Sequence, residues 1–239
     1  MINNHYIRVI IPAFNEEASI GKVISDIPSF VDETIVVSNR STDKTEEVAA
    51  KNKATVLSEP RRGYGYACLK GLDYLSSNSI KTDIVVFLDG DYSDYPQEML
   101  SILNPILHDQ YDFVIGARAS KFREKGAMTF PQIFGNWLAT HLMRLIWNAS
   151  FTDLGPFRAI TYKALLKLEM EDKTYGWTVE MQVKALIYNL NIAELTIKSN
   201  KRIGKSKISG TIKGTFLASF YILKTLLILF LKHPRRINS

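Results

Sequence analysis

Five short runs rich in β-branched residues alternate with helical stretches through the first half of this 239-residue chain, and that order restricts the fold more than any other feature. Tyr6–Ile11, Glu33–Val37, Ala54–Leu57, Asp83–Leu88 and Phe113–Ile115 read as strands. Helices are expected near Glu17–Ile27, Lys44–Lys51, Tyr66–Leu75 and Gln97–His108; Asp43-Lys44-Thr45-Glu46 has capping-box spacing and Pro96 suits a first helical turn. A βαβα succession predicts an α/β fold: a mostly parallel central sheet with helices on both faces. Ligands of such sheets bind beyond the carboxyl ends of the strands, so the loops that follow the strands should carry the chemistry.

With 46% hydrophobic residues the chain can bury a full core. Met1-Ile2-Asn3-Asn4-His5 leads directly into the first strand, with no secretory n-region, h-region and cleavage site, so the protein is expected to stay on the side of the membrane where it is made. A single cysteine, Cys68, forms no internal disulfide, suits a reducing compartment and reads as a small core filler. Charge is uneven: Lys198 to Ser239 holds ten Lys or Arg and no acid, which leaves 20 basic against 24 acidic residues before it. Such a tail seeks an anionic partner. Its Leu and Phe content favours lipid over nucleic acid.

Two apolar stretches bear on that partner. Gly126–Trp147 is aromatic-rich and amphipathic, a helix packed on the sheet or one resting against lipid or an acceptor chain. Thr215–Leu231 is seventeen residues interrupted by Lys224; at about 1.5 Å per residue it spans about 25 Å, short of a hydrocarbon core of about 30 Å. An in-plane amphipathic helix is expected, with Lys232, Arg235 and Arg236 at the headgroups; the alternative is docking on its own domain or on a second copy in a homo-oligomer. The expected division is a catalytic domain over 1–209 and a basic membrane-associating helix over 210–239.

Val85-Val86-Phe87-Leu88-Asp89-Gly90-Asp91 is an apolar strand that ends in two carboxylates, which demands neutralisation. The intervening glycine lets the backbone bend so that Asp89 and Asp91 can hold Mg²⁺ or Mn²⁺ together with diphosphate oxygens. Other strands end in Ile11-Pro12-Ala13-Phe14-Asn15-Glu16, in Val37-Ser38-Asn39-Arg40 and before Glu59-Pro60-Arg61-Arg62-Gly63-Tyr64-Gly65. Together these motifs resemble glycosyltransferase family 2. Asp89-Gly90-Asp91-Tyr92-Ser93-Asp94, Gly116-Ala117-Arg118, Asp153-Leu154-Gly155-Pro156-Phe157-Arg158 and the Arg202–Ser209 loop are most similar to its dolichyl- and polyprenyl-phosphate sugar synthases.

The resemblance implies a GT-A type nucleotide-binding fold, a UDP- or GDP-hexose donor, a lipid-phosphate acceptor and work at the cytoplasmic face of a membrane. It places Pro12, Phe14 and Glu16 at the nucleoside, Asp89 and Asp91 at the metal and diphosphate, and Arg118 and Arg202 at phosphates or acceptor; Arg61, Gly63 and Gly65 fall in the third motif. Ser38 stands where the family usually has Asp at the second strand's end, which implies a weaker neutral contact or a base held differently. In Arg202-Ile203-Gly204-Lys205, alternating cations and small residues can wrap a phosphate. Glu180 orients sugar hydroxyls or caps its helix. The expected reaction inverts the anomeric centre. A phosphomonoester, whose second pKa is about 6, attacks without a general base. A glycan hydroxyl would need one such as Asp153 or Glu180. A non-catalytic nucleotide-sugar-binding protein is the alternative outside the enzymes.

Overall fold

The alternation produces the expected layers. The computed structural model describes residues 1–77, 81–118, 124, 127–204 and 212–233. Its strands are β1 (Ile7–Ala13), β2 (Glu33–Asn39), β3 (Thr55–Glu59), β4 (Ile84–Phe87), β5 (Phe113–Ala117), β6 (Arg158–Thr161) and β7 (Ile192–Thr196). They form one sheet in the order β3-β2-β1-β4-β6-β5-β7. The first four neighbours run parallel, β6 is antiparallel to both β4 and β5, and β7 is parallel to β5. Every residue of β1, β4 and β5 is buried, as expected where helices cover both faces of a sheet.

Successive strand residues point to opposite faces, so the core divides in two. One cluster gathers Ile10, Ile35, Val85 and Phe87 beneath α3 (Tyr64–Ser77), α5 (Phe130–Trp147), α6 (Tyr162–Leu168), α7 (Trp177–Ile187) and α8 (Ile212–Lys232). Cys68 is buried there, as a core filler should be. The other gathers Val9, Ile11, Val36 and Val86 beneath α1 (Ile20–Ser25), α2 (Thr45–Lys51) and α4 (Met99–His108). Just ahead of α2, whose N-cap is Lys44, Asp43 accepts the Thr45 N–H at 3.0 Å, and Pro96 opens a 3₁₀ turn before α4. Strands β6 and β7 and helix α6 are additions to the sequence-based expectation.

Helix α8 packs against α5 and α7, with Thr225, Leu226 and Leu229 buried. Residues past 209 therefore contribute to the core, as in the docking alternative. The same helix turns Leu217, Phe220, Leu227 and Leu231 outward, and α5 exposes Phe130, Phe134 and Trp137. Among the described residues no helix is long and apolar enough to cross a membrane.

Candidate active site

Because β1, β2 and β4 run parallel, their carboxyl ends open onto one edge, and a cavity of about 130 Å³ lies there. Pro12, Phe14 and Glu16 enter it from the end of β1, Asn39 from β2, and Asp89, Gly90 and Asp91 from the turn after β4. Gly63 and Tyr64 at the start of α3, Tyr175 from the loop before α7, and Arg202 complete the wall. Arg202 ties two of these carboxylates together: one guanidinium nitrogen lies 3.2 Å from Glu16 Oε1 and 3.1 Å from Asp91 Oδ2. Residues 186 positions apart are thus joined at the cavity wall.

The two carboxylates of the turn differ in surroundings. Asp91 accepts the Ser93 N–H at 2.9 Å through Oδ1, which leaves Oδ2 to Arg202. Asp89 accepts the Tyr64 hydroxyl at 3.1 Å. Burial first and the charge of Asp91 second push the Asp89 carboxyl up to about 7. Ionising it is therefore costly unless a cation arrives. Among the described residues no three His, Cys, Asp or Glu gather as a complete metal cage. A pair of hard oxygen donors on an open cavity is the donor set that Mg²⁺ or Mn²⁺ shares with substrate phosphates, so Asp89 and Asp91 fit such an ion.

Of the residues expected at the site, Pro12, Phe14, Glu16, Gly63, Asp89, Asp91 and Arg202 line the cavity together. The other described ones are placed elsewhere. Ser38 is fully buried, its hydroxyl has no hydrogen-bond partner among the described residues, and its neighbour Asn39 reaches the cavity instead. Asn39 braces the wall: its Oδ1 accepts Gly63 N–H at 2.9 Å and its Nδ2 donates to the Arg61 carbonyl at 2.6 Å. The Arg61 side chain turns away to Glu59 at 2.8 Å and lies over the Tyr66 ring, whereas Arg62 lines the cavity and lies over Phe14. Gly65 carries a backbone crossing rather than a ligand contact, since an added Cβ would sit 2.0 Å from the Asp172 carbonyl oxygen.

Arg118 is engaged by Asp153 through two guanidinium contacts at 2.7 and 2.9 Å. Against the burial that would raise it, the charge and hydrogen bonds of Arg118 hold the Asp153 carboxyl below its ordinary value. Glu180 accepts the N–H groups of Glu171 at 2.9 Å and Asp172 at 2.7 Å and pairs with Lys184 at 2.9 Å, so it organises a loop. Lys205 lies outside the described residues. Arg62 and Tyr64 stand inside a motif singled out in the sequence, while Tyr175 had no sequence signal.

Fold and site together define an α/β protein with a charged cleft at the carboxyl edge of a parallel sheet, where such sheets seat nucleotides. The chain belongs to glycosyl transferase family 2, whose model matches residues 8–168. It is 31% identical over 215 residues to an uncharacterised glycosyltransferase of Mycobacterium tuberculosis, covering 89% of this chain and 94% of that one. A dolichyl-phosphate hexose transferase of Haloferax volcanii is 30% identical over 208 residues, covering 84% and 86%. Among solved structures, glucosyl-3-phosphoglycerate synthase from Mycobacterium tuberculosis in complex with Mn²⁺, UDP-glucose and phosphoglyceric acid matches with a TM-score of 0.74 at 25% identity, covering 94% of this chain and 79% of that one. The GT-A type fold expected from the motifs is the fold of these neighbours.

Proposed function

We propose that this protein transfers a hexose, with inversion, from a nucleoside diphosphate donor to a polyprenyl or dolichyl phosphate at a membrane surface. The observation that carries the reading is the convergence of Asp89, Asp91 and Arg202 on one cavity whose other walls, Pro12 and Phe14, suit a nucleoside. Asp89 and Asp91 would hold Mg²⁺ or Mn²⁺, which when bound neutralises charge on the departing diphosphate. Arg202, tied to Glu16 and Asp91, adds a fixed cation that needs no reorganisation as that charge grows. Tyr64 keeps Asp89 oriented through its hydroxyl. The neighbour solved with Mn²⁺ and UDP-glucose supports the donor class.

Two features favour a lipid phosphate as acceptor. Asp153 and Glu180, the examples expected of a base for a glycan hydroxyl, are committed to Arg118 and to backbone amides, whereas a phosphate dianion needs positioning alone. The outward apolar rows of α5 and α8, beside a tail rich in Lys and Arg, suit an anionic membrane surface. Relatives named as dolichyl-phosphate transferases, from Haloferax volcanii and Methanococcus voltae, support the same class. The test is to incubate full-length protein with radiolabelled UDP- and GDP-hexoses, Mn²⁺ and anionic vesicles containing polyprenyl phosphate. Label extractable into organic solvent and released by mild acid is the expected product. Label that appears only in water-soluble glycan would overturn the acceptor assignment.

A further inference from the structure

The loop Glu171–Tyr175 lies between the donor cavity and the C-terminal helix and is bonded to both. Toward the cavity, Gly65 N–H donates to the Thr174 carbonyl at 3.0 Å and Tyr66 N–H to the Lys173 carbonyl at 3.2 Å, so the loop crosses the start of α3 as a strap. The approach is close enough that only glycine fits at position 65. The same turn of α3 supplies Gly63 and Tyr64 to the cavity wall, and the strap itself supplies Tyr175.

Toward α8, the buried Thr225 hydroxyl donates to Asp172 Oδ2 at 2.7 Å. Asp172 Oδ1 accepts Thr174 N–H at 2.7 Å and the Thr174 hydroxyl at 3.0 Å, so this one carboxylate joins the helix to the middle of the strap. A Cβ on Gly176 would sit 2.0 Å from Thr225 Oγ1 and 2.3 Å from Asp172 Oδ2, so a larger residue where the strap meets α8 would displace this pair. The rings of Tyr175 and Tyr221 lie 6.3 Å apart, and Lys232 pairs with Glu171 at 3.1 Å at the far end of the helix.

We propose that α8 is a working part of the donor pocket: through Thr225 and Asp172 it clamps the strap onto α3 and so fixes Tyr64 and Tyr175 on the cavity wall. Thr225 and Asp172 are then positioning residues, and the helix that carries the outward apolar rows is mechanically joined to the site of donor binding. The assignment rests on the donor-site reading above. Because the strap also hydrogen-bonds to α3 and α7, loosening its α8 anchor should weaken binding without unfolding the chain.

The experiment is calorimetric titration of full-length wild type, Thr225→Val and Thr225→Ser with UDP and with GDP in saturating Mn²⁺. Wild type is expected to bind one of the two nucleotides. Valine, which keeps the volume but removes the hydroxyl, should weaken that binding at least fivefold, and serine should restore it to within twofold. Amide hydrogen exchange at Thr174 and Gly65 should quicken in the valine variant alone. If valine does not fold, Tyr221→Leu, which removes the ring facing Tyr175, serves in its place with the same expected loss. Wild-type affinity and unchanged exchange in the variant would overturn the coupling while leaving the donor site intact. Failure of wild type to bind either nucleotide would overturn the donor-site reading and this inference with it.

Discussion

Replacing Asp91 with asparagine is expected to cut sugar transfer by about a hundred- to a thousandfold, in line with the loss of one preorganised electrostatic group at a transition state, while leaving the fold unchanged. Asparagine keeps the Oδ1 acceptor for Ser93 N–H, so the turn retains its local hydrogen bond. What disappears is the charge that faces Arg202 at 3.1 Å and that, with Asp89, would hold a divalent ion. Asp89 alone offers a single carboxylate and forms a poor site for a divalent ion. Initial rates with the preferred nucleotide sugar, with thermal unfolding of the same samples, check the claim. A variant retaining a tenth of wild-type activity would remove the turn from the mechanism.

The second large effect concerns stability. Removing Asp153 with alanine leaves the largely buried Arg118 guanidinium without its two carboxylate contacts, and breaking a fully buried pair costs about 3–5 kcal/mol, the upper end for this one. Against a typical total of about 5–15 kcal/mol, that is a large share. The pH dependence follows from the depressed carboxyl of Asp153. Its contribution is present in full above the ordinary value of 3.8 and is lost as pH falls through the lower folded value, so wild type and variant should converge in acid. Urea unfolding at pH 7 and at low pH measures both parts. A loss below about 1 kcal/mol at pH 7, the size of a surface pair, would show that Arg118 finds another partner.

The first half of the fold was legible because β1, β4 and most of β2 are buried on both faces and so appear as apolar, β-branched runs. Strands β6 and β7 lack that signal. Arg158–Thr161 is four residues beginning with an arginine whose hydrogen bonds go to the carbonyls of Gly155, Leu154 and Thr178, an environment no local pattern announces. Ile192–Thr196 sits at the sheet edge, half-buried and interrupted by Glu194. That β6 inserts antiparallel between β4 and β5 is a tertiary outcome of pairing across some 70 residues, beyond the reach of alternation.

At the site, motifs located the loops but not which side chain of each loop faces in. Ser38 and Asn39 illustrate this, since neighbours on a strand face opposite ways and a shift of one residue exchanges them. Arg40 has a φ of 61°, a left-handed conformation that glycine or asparagine adopts more easily. Charges are hard to place for a different reason: Arg118, Arg61 and Glu180 are each held by an internal partner, and the partner of Arg118 is 35 residues away. The tail was ambiguous because one apolar row of α8 docks on the domain while the other faces outward, and both rows contribute to the same hydrophobic run.

If Asp89 and Asp91 make the cavity a metal-assisted site for a nucleoside diphosphate, its affinity for UDP or GDP must depend on the metal. The full-length protein is titrated with UDP and GDP, once in Mn²⁺ and once in EDTA. One nucleotide is expected to bind at least about tenfold more tightly with the metal, a difference of about 1.4 kcal/mol. Equal affinity in Mn²⁺ and EDTA, or no binding of either nucleotide, would contradict it.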